Sequence, residues 1–210
     1  MSDIKSEPAS TLGRYPASDE TLLARARAIE ELLMERGALG QGTVDKIVDK
    51  YEQDIGPLLG AKVVARAWVD DAFRERLLAD ATAACKELGI GGMQGEHMVA
   101  VANSAEVHNV IVCTLCSCYP WPVLGVPPSW YKSPEYRARV VVEPRAVLRE
   151  FGLDVPEDVE IRVFDTSADI RYFVVPERPA GTEGYSEDQL AAIVTRDTMV
   201  GVAKPVASAS

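Results

Sequence analysis

The chain reads as an α+β protein, with a helical N-terminal part that includes an extended arm and then a strand-rich, layered C-terminal half. Three observations carry this. Apolar residues recur at helical spacing through the first part of the chain. From Glu96 onward, short β-branched runs bounded by turn residues take over. Helices followed by strands indicate segregated α and β regions, not a wound sheet. The expected division is a flexible tail over 1–17, a helical arm and further helices over 18–95, and an α+β unit over 96–210 that carries the chemistry.

The first helix should run from Asp19 to Arg36. Leu22, Ala26, Ile29 and Leu33 form its apolar stripe, Ser18 can cap it, and Gly37 ends it. Little neighbouring sequence is available to bury that stripe, so an arm reaching onto a partner subunit is expected. A second helix over Val44–Ile55 should stop at Gly56-Pro57. A third, Asp71–Leu88, should bury Phe73, Leu77, Ala81 and Ala84 and close at Gly89. Strands are expected at His97–Val101, Val107–Val112, Arg139–Val142, Val159–Phe164 and Arg171–Val175. Pro144–Phe151 reads as a short helix with proline in its first turn. Ser186-Glu-Asp-Gln189 is a capping box that opens a final helix to Arg196.

The 210 residues suffice for one substantial core, and 47% of them are apolar. No apolar run approaches the roughly 18 residues needed to cross a bilayer. Met1–Ser10 lacks the apolar centre of a secretory signal, so a soluble cytoplasmic protein is expected, with no membrane partner. A net charge of −10 argues against nucleic acid as a main partner. Four cysteines do not make a disulfide scaffold in a chain this long.

Three of those cysteines lie together in Val112-Cys-Thr-Leu-Cys-Ser-Cys118. Thiolates packed this densely point to a metal. Cys116 and Cys118 are one residue apart, so they can clamp an ion only by bringing the amide nitrogens of Ser117 and Cys118 with them. Deprotonated, these two nitrogens and two sulfurs would make a planar set, with Cys113 as a third sulfur from below and a sixth position open. Zinc prefers tetrahedral ligation without amide nitrogens. The donor set suits an oxidised mid-row transition metal acting as a Lewis acid. An iron–sulfur cluster would want a fourth cysteine, and Cys85 sits in a helical pattern as a buried structural thiol.

That motif, followed by Tyr119-Pro-Trp-Pro-Val-Leu-Gly125, resembles the metal-binding loop of the nitrile hydratase alpha subunit. The resemblance continues through Pro127-Pro128-Ser-Trp130, Arg137-Ala-Arg139, Glu150-Phe-Gly152, Arg178-Pro-Ala-Gly-Thr-Glu-Gly184 and Val194-Thr-Arg-Asp197. Upstream, Gly60-Ala-Lys-Val-Val64 and Gln94-Gly-Glu96 also match, so it spans roughly Ala17 to Lys204. It implies hydration of a small-molecule nitrile to its amide, with Cys118, Cys116 and Ser117 as catalytic residues. Cys113, Cys116, Ser117 and Cys118 are the implied metal ligands, holding one trivalent cobalt per alpha subunit, with iron the less favoured metal. Thr114 and Tyr119 agree with the cobalt type. The family carries sulfinate at the Cys116 position and sulfenate at the Cys118 position. It also implies a beta subunit that supplies arginines, in a heterodimer or a dimer of heterodimers, and a metal-loading activator protein. Arg137, Arg139 and Arg145 are not assigned the arginine role merely for being nearby.

Other residues divide between roles. Trp121 forms a substrate pocket wall or a subunit anchor, and Gln94 lies near the site or stabilises a turn. Asp165 and Asp169 orient groups across the subunit boundary or are solvated loop acids. His97 and His108 are expected to be structural. Tyr185 and Asp169 depart from the tryptophan and glutamate common in the family. The competing readings are the metal-bearing subunit of a thiocyanate hydrolase, which shares the donor set but takes a small anion, and a non-catalytic metal-binding module with a closed site.

Overall fold

The computed structural model describes residues 19–50, 56–92, 95–116 and 118–207. The expected tail over 1–17 and the Ser18 cap lie outside them. Helix α1 (Asp19–Glu35) stops where a glycine allows a left-handed turn: Gly37 has φ 68°. The Gly37 and Ala38 amides donate back to the carbonyls of Met34 and Leu33, each at 2.9 Å. Leu22, Leu23, Ile29 and Leu32 of α1 are exposed, as are Val44, Ile47 and Val48 of α2 (Thr43–Asp49). The expected continuation of α2 to Ile55 falls on residues 51–55, outside the described set. No helix among the described residues is long and apolar enough to cross a membrane.

The sequence reading passed over the helix at the centre of the core. α3 (Gly56–Val69) buries Ala61, Val63, Val64, Ala65 and Ala67, and packs on α6 and α9. Gly56-Pro57 reads as a terminator, yet proline is equally at home in a helix's first turn. Apolar residues cover most of α3, and only Lys62 and Arg66 mark its polar face. The expected single helix over Asp71–Leu88 is two, α4 (Asp71–Ala79) and α5 (Ala81–Glu87). Asp80 breaks it: its extended backbone donates to the Arg76 carbonyl at 2.8 Å, while its carboxylate accepts from the Ala83 amide at 2.9 Å. One residue thereby closes one helix and caps the next.

Among the described residues, four strands form two parallel pairs. β1 (Met98–Ala102) pairs with β4 (Arg171–Val175), Met98 opposite Arg171. β2 (Val107–Val112) pairs with β3 (Glu160–Asp165), Val112 opposite Asp165. Parallel partners need crossover connections, and the chain between β2 and β3 supplies α6 (Trp121–Leu124), a 3-10 turn at Trp130–Lys132, α7 (Pro134–Arg139) and α8 (Pro144–Glu150). The expected strand at Arg139–Val142 is therefore the end of α7 and a turn. Ser133 caps α7 through the Tyr136 amide, and the Arg139 guanidinium binds Glu143 and Glu150 at 2.6 Å, fixing the turn into α8. Val142 there is 81% exposed, with no strand beside it. The final helix is also two, α9 (Glu187–Ala192) behind the expected capping box and α10 (Arg196–Val200).

His108 ties β2 to the chain after α10. Its Nε2 lies 2.7 Å from the Gly201 carbonyl oxygen and its Nδ1 3.3 Å from Asn103 Nδ2, so Nε2 carries the proton. Asn103 Oδ1 in turn accepts from the Asn109 amide at 2.8 Å. His97 instead occupies the turn before β1, at φ 48°, with Nδ1 3.2 Å from the Asp169 carbonyl oxygen. Both roles are structural.

Burial is the main cause that lowers the His108 pKa; the Gly201 carbonyl opposes it and Lys204 adds to it. The unfolded chain then binds the proton more readily, so stability is lost as pH falls from about 6.5 toward His108's lower folded value. Denaturant titrations across that window should show this slope, and His108→Gln should remove it. A second test concerns Gly60, where a Cβ would lie 2.1 Å from the Val123 carbonyl oxygen and 2.8 Å from Met199 Sδ. Gly60→Ala should therefore lower stability by roughly 1–3 kcal/mol in denaturant melts. Gly184→Ala, which meets nothing within 4 Å, should stay within about 0.5 kcal/mol.

Candidate metal centre

The cysteine loop leaves the C-terminal end of β2. Cys113 is buried because it continues the buried run Val110-Ile111-Val112; Cys116 is exposed and Cys118 half-buried. The Sγ atoms of Cys113 and Cys116 are 3.3 Å apart, and those of Cys116 and Cys118 are 3.0 Å apart. All three sulfurs lie within 4.8 Å of one another. The Cys116 amide also donates to Cys113 Sγ at 3.2 Å, folding the loop back on itself.

Four side chains from elsewhere hold this loop. Asp165, opposite Val112 in the strand register, accepts from the Thr114 amide at 2.9 Å and from its hydroxyl at 2.5 Å. Arg137 on α7 donates through Nη1 to the Cys116 carbonyl at 3.1 Å. The Tyr131 hydroxyl donates to the Cys118 carbonyl at 3.2 Å, and the Tyr136 hydroxyl to the Ile111 carbonyl at 2.7 Å. Those tyrosines belong to a buried aromatic block: Tyr119 and Tyr131 have ring centroids 4.9 Å apart, and Trp130 lies 5.0 Å from Tyr136 and 4.8 Å from Phe151. Edge-to-face contacts give such a block directional rigidity as well as buried area.

Burial pushes the Cys118 thiol up to about 12, and the neighbouring sulfurs push it the same way. Three sulfurs this close repel one another as thiolates, so ionising the set requires a cation among them. Among the described residues no fourth cysteine, histidine or carboxylate joins the group. A closed four-ligand zinc site is thus unsupported by side chains, while three convergent sulfurs fit a thiophilic transition-metal ion. Cys85 is buried in α5, outside this group, and burial pushes its thiol up to about 12.

Of the other residues singled out from sequence, Ser117 and Gln94 lie outside the described set. Trp121 opens α6, half-buried against the core, three residues beyond Cys118. Asp165 is brought to the loop. Asp169 is exposed, and its amide instead binds Ser167 Oγ at 3.2 Å. Tyr131, Tyr136 and Arg137 were missed. The aromatic run Trp130-Tyr131 with Tyr136, so soon after the cysteines, was the available signal. Cavities of about 270, 310 and 340 Å³ lie elsewhere, and none is lined by the three cysteines. Leu115, at the loop's tip, is 86% exposed.

Replacing Asp165 by alanine should free the loop's first turn. The Thr114 amide should exchange with solvent markedly faster, at a loss of about 1 kcal/mol in stability. Asp165→Asn retains one carbonyl acceptor and should keep part of the protection. Unchanged exchange in Asp165→Ala would remove Asp165 from this role.

Comparison with known proteins agrees with the geometry. The family model for the nitrile hydratase alpha chain matches residues 20–203. The low-molecular-weight cobalt-containing nitrile hydratase alpha subunit of Rhodococcus rhodochrous is 57% identical over 193 residues, covering 92% of this chain and 93% of that protein. The thiocyanate hydrolase gamma subunit of Thiobacillus thioparus is 43% identical over 189 residues, covering 85% and 77%. A solved double mutant of the Fe-type nitrile hydratase of Comamonas testosteroni Ni1 superposes with a TM-score of 0.83 at 44% identity, covering 91% of this chain and 94% of that one. With residues 20–203 matched by the family model and nearly the whole length shared with its relatives, the chain belongs to the nitrile hydratase alpha-chain family.

Proposed function

We propose that this chain is the alpha subunit of a cobalt-type nitrile hydratase, hydrating a nitrile to the corresponding amide as a hydro-lyase. The observation that carries the reading is the convergence of three sulfurs within 4.8 Å, in a chain 57% identical to a cobalt-containing relative. Cys113, Cys116 and Cys118 would hold the ion through sulfur, and Ser117 and Cys118 through their amide nitrogens. Bound there, trivalent cobalt supplies Lewis acidity that makes a nitrile carbon electrophilic.

The chain's own groups do the rest. Cys113, fixed by a buried strand, anchors the set, and Asp165 fixes Thr114 so that the loop cannot unwind from β2. Cys118 must give up its proton on loading; with its thiol pushed up to about 12, metal uptake should strengthen as pH rises through neutrality. In the oxidised form proposed here, with sulfinate at Cys116 and sulfenate at Cys118, an oxygen on Cys118 stands ready as nucleophile or as acceptor for a water's proton. Trp121 forms an uncharged wall beside the site. Such a wall suits an organic nitrile better than a small anion and sets this reading above thiocyanate hydrolysis. Gln94 and Asp169 are proposed to complete the pocket and its surroundings.

A beta subunit would supply cationic donors to the sulfur oxygens and cover the exposed stripes of α1 and α2. The division into a tail over 1–17, a helical arm and helices over 18–95 and a catalytic unit over 96–210 follows that role. An activator protein would load the metal, in the cytoplasm.

Co-expression with a beta subunit should yield active enzyme with about one cobalt per alpha chain and a mass excess of about three oxygens. Cys116→Ser and Cys118→Ser should contain almost no cobalt, and Cys113→Ser little; all three should be inactive. Cys85→Ser should keep both metal and activity, with a stability loss of about 1 kcal/mol. Cobalt retained in Cys116→Ser but lost in Cys85→Ser would overturn the site, as would fully active enzyme whose cysteines are all plain thiols.

A further inference from the structure

The loop's backbone carbonyls are held by two donors of different character. Tyr131, neutral and buried, takes the Cys118 carbonyl; Arg137, charged and half-buried, takes the Cys116 carbonyl at 3.1 Å. The latter belongs to the residue whose sulfur stands between the other two, 3.3 Å from that of Cys113 and 3.0 Å from that of Cys118. Whatever holds the Cys116 oxygen therefore restrains the backbone that carries the central sulfur of the group.

Arg137 has little else to do. Its Nε is buried without a hydrogen-bond partner, and no ion pair of its guanidinium is found among the described residues. Its neighbour on α7, Arg139, is committed to Glu143 and Glu150 on the far side of the turn. Among the described residues its guanidinium is therefore directed at the loop carbonyl and not at a carboxylate. Three sulfurs lie in the same loop, so a positive charge beside them offsets the negative charge they carry once ionised.

We propose that Arg137 is a positioning residue of the metal site, holding the Cys116 carbonyl and with it the turn that brings the Cys116 sulfur beside those of Cys113 and Cys118. The proposal rests on the metal reading above and extends it to a residue that touches neither metal nor substrate. Arginine partners of this kind act through the ligand they hold, and removing one commonly lowers metal affinity by about 10-fold to 100-fold.

The test uses the chain co-expressed with its beta subunit in cobalt-supplemented medium, in wild-type, Arg137→Lys and Arg137→Met forms. Cobalt per alpha chain, the visible sulfur-to-cobalt absorption band and the thermal midpoint are measured on each. Arg137→Met should fold with a near-native midpoint yet bind cobalt about 10-fold or more weakly in competition with a chelator. Its residual loaded fraction should show a displaced absorption band, a change that loss of packing alone would not cause. Arg137→Lys, which keeps charge and most of the reach, should recover part of the affinity and move the band back.

Native cobalt affinity and an unmoved band in Arg137→Met would overturn the proposal. If Arg137→Met fails to fold, Arg137→Lys with wild-type affinity and an experimental structure of the loaded enzyme with the guanidinium away from the Cys116 carbonyl would overturn it equally. A wild-type enzyme that holds no cobalt would sink the metal reading itself, and is thus a separate failure.

Discussion

The parallel pairing of β2 with β3 is the constraint on which the centre depends. Its register places Val112 opposite Asp165, so the carboxylate stands where the chain leaves the buried strand and turns into the cysteine loop. The Thr166 amide donates to the Val112 carbonyl at 2.6 Å and closes the ladder at that point. Sliding β2 by one residue would turn its buried face outward. Cys113 would then leave the core, and Asp165 would lose Thr114. Ligands at the C-terminal ends of parallel strands recur in open α/β sheets; here the principle works with only two strands.

Parallel pairing also explains why so much helix lies between β2 and β3. The crossover is not idle length. It carries Tyr131, Tyr136 and Arg137 over the end of β2, where each takes a backbone carbonyl of the strand or loop. The metal loop thus has regular secondary structure on one side only. On the other its hydrogen bonds are made by side chains from the crossover, which stand in for a neighbouring strand and satisfy the buried Ile111 carbonyl and the half-buried one of Cys118 as well as the exposed one of Cys116. The aromatic block beneath them keeps those side chains in place.

Local signals carried well into the structure and long-range ones did not. The glycine end of α1, proline at the start of α8 and the box before α9 all act within a few residues, and each is where the sequence places it. The β-branched runs at β2 and β4 are legible for the same reason. Val140-Val141-Val142 is equally β-branched, yet no strand edge lies beside it and Arg139 ties the turn to α8, so tertiary contacts override propensity. α3 escaped because Gly56-Pro57 reads as a terminator and only Lys62 and Arg66 mark a polar face on an otherwise apolar helix. The cysteines were legible from spacing alone, and Asp165 only as one of two candidate acids with Asp169. Arg137 was not, because a guanidinium on a carbonyl 21 residues away has no sequence signature.

The unequal burial of the three cysteines has a chemical consequence. Cys113 is sealed in the core, Cys118 is half-covered and Cys116 faces solvent. An oxidant arriving from water meets them in the reverse of that order. Sulfur oxidises stepwise, and each further oxygen requires another encounter. Exposure therefore grades how readily an oxidant reaches each sulfur. Three identical side chains in six residues meet water to three different degrees, because the buried strand that feeds the loop keeps only the first of them in the core.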